Sequence, residues 1–289
     1  MSFQPGPALG LLLLAGLYLR AVRQLGRRGY RVPAGQQAFW WTGWALLSLS
    51  FLGPLDEYAP KLVSAHMAQH VLMADIASPL MLIGVRNPVL MWFLPPQILT
   101  PLARRRRLRA AFAKLRSPMV AVPVYTLVLF AWHTAPLFEA ALRSPVVHAL
   151  QHESFIVFSV FLWWPVIEPQ HRRMPGGLWK IPYIFGARLP TMFLGMAFAF
   201  SPTAFYTGFY GTGERSFGLS ALTDQGLGGG IMMLVDIVIV MATLTVVFFR
   251  SASDDDAHAP EGEAGAQRDL AGPQQEAEVQ AGRKVAEVR

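Results

Sequence analysis

The chain has no cysteine among its 289 residues, which excludes disulfides, thiolate-bound metals and thiol redox chemistry. Any metal held here must therefore sit on nitrogen, oxygen or thioether ligands. Charge is also scarce: Asp, Glu, Lys and Arg make up 15% of the residues, against 53% hydrophobic. That balance argues against a soluble domain and for a membrane-embedded bundle. Acidic side chains are scarcest where the chain is most apolar, with 9 in residues 1–250 against 21 basic ones. In a soluble protein such an excess would suggest a nucleic-acid partner. Here the basic residues fall in loops between apolar segments, so membrane lipid is the expected partner and nucleic acid is not.

What the chain does have is long apolar runs. Seven segments approach the ~20 residues needed to cross a bilayer as helix, at 7–25, 36–54, 62–84, 118–136, 145–167, 181–201 and 226–249. Helices are expected because an open sheet would leave backbone groups unpaired in lipid. The first run, "ALGLLLLAGLYL", has arginines after it and none before, the reverse of a secretory signal, and reads as a retained span with an external N-terminus. With that orientation 17 Lys and Arg residues fall in inner loops and 3, namely Lys61, Arg143 and Arg215, in outer loops. The asymmetry sets the C-terminus inside. The expected architecture is an all-α, seven-helix transmembrane domain over residues 1–250, multi-pass in a bacterial inner (plasma) membrane, with a disordered cytoplasmic tail over 251–289. The segment "PVLMWFLPPQIL" is too short to cross and is placed in the inner interface, with "RRRRLR" after it as an anionic-lipid anchor. His258, in the tail, is assigned no role.

Two apolar runs begin with paired histidines. "SAHMAQH" carries His66 and His70, and "SPVVHALQHE" carries His148 and His152. Residues four apart share a helix face, so each pair can aim two ring nitrogens at one point. In the seven-span topology both pairs lie at the same outer depth, with His133 near the outer end of the fourth span and Asp224 and Gln225 just before the last. Four interfacial histidines bonded to water or backbone are the plain alternative, but imidazoles in a bundle interior are costly without a role. The expected site is a metal centre on His66, His70, His148 and His152, with His133, Asp224, Met67 and Met232 as further candidates and Met73 as a weaker one. Imidazole and thioether without thiolate suit copper, especially the cuprous ion. Zinc on histidine with Glu153 or Asp224 is a second possibility.

Three charges lie inside spans: Asp75, Arg188 and Asp236. By helical rise Asp75 and Arg188 fall at similar depth, which predicts a structural Asp–Arg cluster joining the third, sixth and seventh spans. A proton path is the rival reading.

The motifs "HMAQHVLMADIASPLMLIG", "WHTAPLFEAAL", "VHALQHESFIVFSVFLWWPVI" and "DQGLGGGIM", in this order, resemble the multi-span CtaG family of cytochrome c oxidase assembly factors associated with caa-type oxidases. The resemblance spans roughly residues 35–250. It implies a non-enzymatic role in maturing the oxidase, with copper supplied to its catalytic subunit and a periplasmic copper donor upstream. It maps His66 and His70, His133, His148 and His152, and Asp224 with Gln225 onto the family's motifs. The chain departs from the pattern at Gly226, where a second glutamine is expected, and at Met233, where tryptophan is expected. Rival functions are a haem protein ligated by histidines from facing helices, a metal transporter, and a zinc hydrolase using Glu153, for which the H-E-x-x-H spacing is absent.

Overall fold

A computed structural model describes residues 5–170 and 179–257 of the chain. Among these the secondary structure is helical throughout, with no strand. In chain order the α-helices are α1 (Pro5–Arg27), α2 (Ala34–Leu52), α3 (Pro54–Tyr58), α4 (Val63–Val71), α5 (Ser78–Gly84), α6 (Val89–Phe93) and α7 (Pro96–Arg104). They continue with α8 (Arg106–Leu115), α9 (Pro118–Trp132), α10 (Ala135–Arg143), α11 (Pro145–Ile167), α12 (Lys180–Phe200), α13 (Thr207–Tyr210) and α14 (Ala221–Ala257). A π-helical turn over Leu72–Ala77 joins α4 to α5 in one continuous rod, Val63–Gly84.

Each of the seven apolar segments is helical, but five helices are long and apolar enough to cross a membrane: Gly6–Arg27, Val63–Gly84, Pro145–Ile167, Lys180–Phe200 and Ala221–Phe249. A sixth arises if α8 and α9, bent by 78°, form one broken span. The two shortfalls from seven have local causes. Gln36 and Gln37 place two amides in the first turn of the 19-residue α2, which shortens its apolar stretch. Helix α9 has only 15 residues, ending at Trp132 rather than 136. The last helix runs further than expected, through residue 257, so the start of the expected tail is helical. The rest of that tail, with His258, lies outside the described residues.

The rod Val63–Gly84 is the bundle's centre and is largely buried, whereas α1 and α14 turn apolar faces outward, with Leu9, Leu12, Leu13, Leu234, Ile237 and Val238 all exposed. Such outward apolar faces are what lipid would cover. Pro79 explains the π turn: it lacks an N–H and crowds the carbonyl one turn earlier, so the helix widens by one residue there. Ser78 closes the gap by donating its hydroxyl to the Met73 carbonyl at 2.8 Å.

Helix α14 packs along both α12 and α4 because its "GLGGG" stretch lets backbones approach. A Cβ at Gly229 would stand 2.4 Å from the Gly195 carbonyl oxygen of α12, so only glycine fits. On the α4 side, a Cβ at Gly228 would meet the Met67 side chain at 3.2 Å.

At the end of the bundle opposite the start of α4, α6, α7 and α8 form a short helical chain broken at Pro95, and neither α7 nor α8 buries a residue. Arg20 of α1 donates to the Trp92 carbonyl at 3.0 Å, and the Arg28 guanidinium lies 4.1 Å from the Trp92 ring, tying this segment to α1.

Candidate metal centre

The amino-terminal turns of α4 and α11 face each other and bring both histidine pairs together. Ring centroids are 4.3 Å apart for His66 and His70, 4.1 Å for His148 and His152, 5.3 Å for His66 and His148, and 5.3 Å for His70 and His152. His133, which ends α9, lies 6.0 Å from His70 on its far side. Three elements distant in sequence thus supply five imidazoles to one cluster. Within it His66, His70 and His152, at 0%, 6% and 4% exposure, each offer one ring nitrogen within 4.8 Å of the other two. His148 sits one turn outward and is half-buried.

Most of the ring nitrogens of this cluster are without protein partners. Both ring nitrogens of His66 and of His70, and Nε2 of His133, His148 and His152, are buried and make no hydrogen bond. Buried polar atoms are nearly always satisfied, so seven such nitrogens in one place set this layer apart from an ordinary helix interior. The His133 ring shows how such a ligand would be presented. Its Nδ1 bonds the Leu129 carbonyl at 2.7 Å, which makes Nδ1 the protonated nitrogen and leaves the Nε2 lone pair free.

Beneath the imidazoles lies a cavity of about 20 Å³, room for one water, lined among others by Met67, His70, Asp75, His133, Thr191 and Met232. Both methionines are buried, so the thioethers expected as ligands border the cluster from below. Met73 does not line this cavity. The rings pack edge to face at contact distance, His66 on His70 and His70 on His152.

Asp224 stands apart from the imidazole group and does different work. Its Oδ2 accepts from the Val63 backbone N–H at 2.8 Å, and its Oδ1 from the Ser64 N–H at 3.0 Å and the Ser64 hydroxyl at 2.6 Å. Fully buried, the carboxylate caps the start of α4 from another helix and complements its dipole. Its neighbour Gln225 pins the preceding loop, accepting from the Phe205 N–H at 2.6 Å and donating to the Phe198 carbonyl at 3.2 Å. Glu153, the other carboxylate considered, is exposed.

Aromatic residues close the cluster from the side of α10 and α13, and residue type alone did not mark them. Phe138 is fully buried, 4.7 Å from the His66 ring, and Tyr206 stacks on it at 3.8 Å. The Tyr206 hydroxyl donates to the His133 carbonyl at 2.8 Å, and the Tyr210 hydroxyl to the Ala59 carbonyl at 2.6 Å. Burial pushes the Tyr210 phenol well above its ordinary value, and the nearby Asp224 charge adds to this, so it stays a neutral donor. Gln151, one residue before His152, is also fully buried with its amide unpartnered. The signal for Phe138 was its place in "WHTAPLFEAAL", five residues after His133.

Below the cavity the three intramembrane charges meet. Arg188 of α12 donates from Nη1 to Asp75 Oδ1 at 2.6 Å and from Nε to Asp236 Oδ1 at 2.6 Å, with a second bond from Nη2 to the same oxygen. All three are buried, and they join the central rod, α12 and α14.

The chain is similar to several known proteins. Uncharacterised proteins of Mycobacterium bovis and Mycobacterium tuberculosis are each 26% identical over 271 residues, covering 87% of this chain and 40% of theirs. One of Mycobacterium leprae is 24% identical over 270 residues, covering 84% of this chain and 39% of its own. The chain thus spans about two fifths of the length of the curated relatives it matches. No solved structure gives a significant match. The sequence model of the cytochrome c oxidase caa3 assembly factor family, Caa3_CtaG, matches residues 16–254, a range that takes in every histidine of the cluster, and the chain belongs to that family.

Proposed function

We propose that this protein is a multi-pass assembly factor of the bacterial inner membrane that holds copper, as cargo, on His66, His70 and His152, with His148 and His133 at the margins. In this reading it takes the ion from a periplasmic donor and supplies it to the catalytic subunit of cytochrome c oxidase. All seven apolar helices are embedded, α2 and α9 among them with apolar side chains such as Phe39, Leu49, Met119 and Leu127 turned outward, and the N-terminus and the histidine layer lie outside. The excess of Lys and Arg in the opposite loops supports that orientation.

One observation carries the reading: seven buried imidazole nitrogens converge without protein partners. Neutral imidazole is a good ligand for copper, and with only methionine sulfur nearby the set is soft and exchangeable, as a carrier that must release its ion requires. The ligands would be His66 and His70 from α4 and His152 from α11, with His148 positioned to take up or pass on the ion at the less buried edge. No bond in the cargo's partner needs to be made or broken, which accords with an assembly role rather than an enzymatic one.

The test is metal analysis of protein purified with its bound ion. Wild-type protein is expected to hold about one copper per chain, and His66→Ala/His70→Ala and His148→Ala/His152→Ala each far less. Wild-type protein without copper, or either variant holding as much as wild type, overturns the site.

A further inference from the structure

The charges beneath the cluster do not balance. Asp75 and Asp236 supply two carboxylates and Arg188 one guanidinium, all at 3–4% exposure. Arg188 directs both of its Asp236 bonds to Oδ1, leaving Oδ2 buried with no partner. A purely structural ion pair would need only one of these acids, and a third buried charge is costly in a low-dielectric interior. The group meets the histidine layer through Asp75. Asp75 lines the same water-sized cavity as His70, His133 and Met232, and Asp236 lies one helical turn beyond Met232. The Thr191 hydroxyl on the wall of that cavity is likewise buried and unpartnered.

We infer that the Asp75–Arg188–Asp236 group is the counter-charge of the cation site and fixes its cargo as a singly charged soft ion. This rests on the imidazole site proposed above. Neutral imidazoles bring no charge, and the Asp224 carboxylate is already engaged by the α4 amides and Arg215, so the net single negative charge below is the one left to compensate a cation among them. The attraction grows in proportion to the ion's charge, whereas the cost of removing it from water grows with the square. One negative charge therefore balances a monovalent ion and leaves a divalent ion undercompensated. Five residues along the central rod separate His70 from Asp75, about 7.5 Å of helical rise, so the charge centre lies on the order of 10 Å from the imidazoles. At that range and an effective dielectric of about 20, loss of one charge changes a binding constant by roughly tenfold. Asp236 is thus a positioning residue for the cargo's charge, not a ligand.

The test is competitive titration of full-length protein in detergent with silver(I), a redox-inert monovalent probe, and with zinc(II). Wild type is expected to prefer silver(I). Asp236→Asn should bind silver(I) about tenfold more weakly, and Asp236→Glu should restore it. Unaltered silver(I) affinity in Asp236→Asn, or failure of Asp236→Glu to restore a loss, overturns the counter-charge. Asp75→Asn provides the same reading if Asp236→Asn does not fold. Wild-type protein that binds no silver(I), or binds it equally after His66→Ala/His70→Ala, would instead overturn the imidazole site itself.

Discussion

Replacing Asp224 by alanine separates a cap from a ligand. The carboxylate receives three hydrogen bonds from the first turn of α4, two of them from backbone N–H groups that have no helical partner of their own. Arg215 adds a longer ionic contact at 3.7 Å. Alanine would strand the Val63 and Ser64 N–H groups in a fully buried position, at about 1–3 kcal/mol each, for a total of about 2–6 kcal/mol. Against a typical total of 5–15 kcal/mol this is a large share. Tryptophan fluorescence or near-ultraviolet circular dichroism during heating in detergent should show unfolding at least about 5 °C earlier. Asparagine should not rescue it, since one of its two polar atoms is itself a donor and meets a backbone N–H. Copper content per folded chain should be unchanged. Unaltered unfolding combined with a loss of copper would refute the capping role and make Asp224 a ligand.

Three further outcomes follow from the geometry. Copper retention should fall in acid, because protons and metal compete for the same lone pairs; equilibrium dialysis from pH 8 to pH 3 checks this, and retention that survives until the protein unfolds would contradict histidine ligation. Gly229→Ala should cost about 1–3 kcal/mol by thermal unfolding, since its Cβ would press on the α12 backbone, while Gly226→Ala, whose nearest neighbour would be 3.8 Å away, should cost little. Arg188→Leu should lower folded yield on size-exclusion chromatography, because two buried carboxylates would lose their partner at about 3–5 kcal/mol; normal yield would remove the structural role.

The histidine pairs were legible in the sequence because their signal is local. Four-residue spacing sets a shared helix face, and position within an apolar run sets depth, so their convergence needed only that α4 and α11 be neighbours. Asp75 and Arg188 were legible for the same reason, through helical rise. The role of Asp224 was not, because its partners lie 160 and 161 residues away and depend on the close approach of α14 to α4. Nor were Phe138 and Tyr206 as the wall of the cluster, since buried aromatic residues abound in an apolar chain and nothing periodic distinguishes these two. The span count was less legible at α2 and α9, where two glutamines and an early stop give helices that do not by themselves reach the length and hydropathy of a membrane span.

The most direct measurement is X-ray absorption spectroscopy of the protein loaded with copper(I). Convergent imidazoles predict a nitrogen shell near ~2.0 Å with outer-shell scattering from histidine rings, diminished in His66→Ala/His70→Ala and in His148→Ala/His152→Ala. Protein that takes up no copper, or whose copper sphere lacks imidazole, would contradict it.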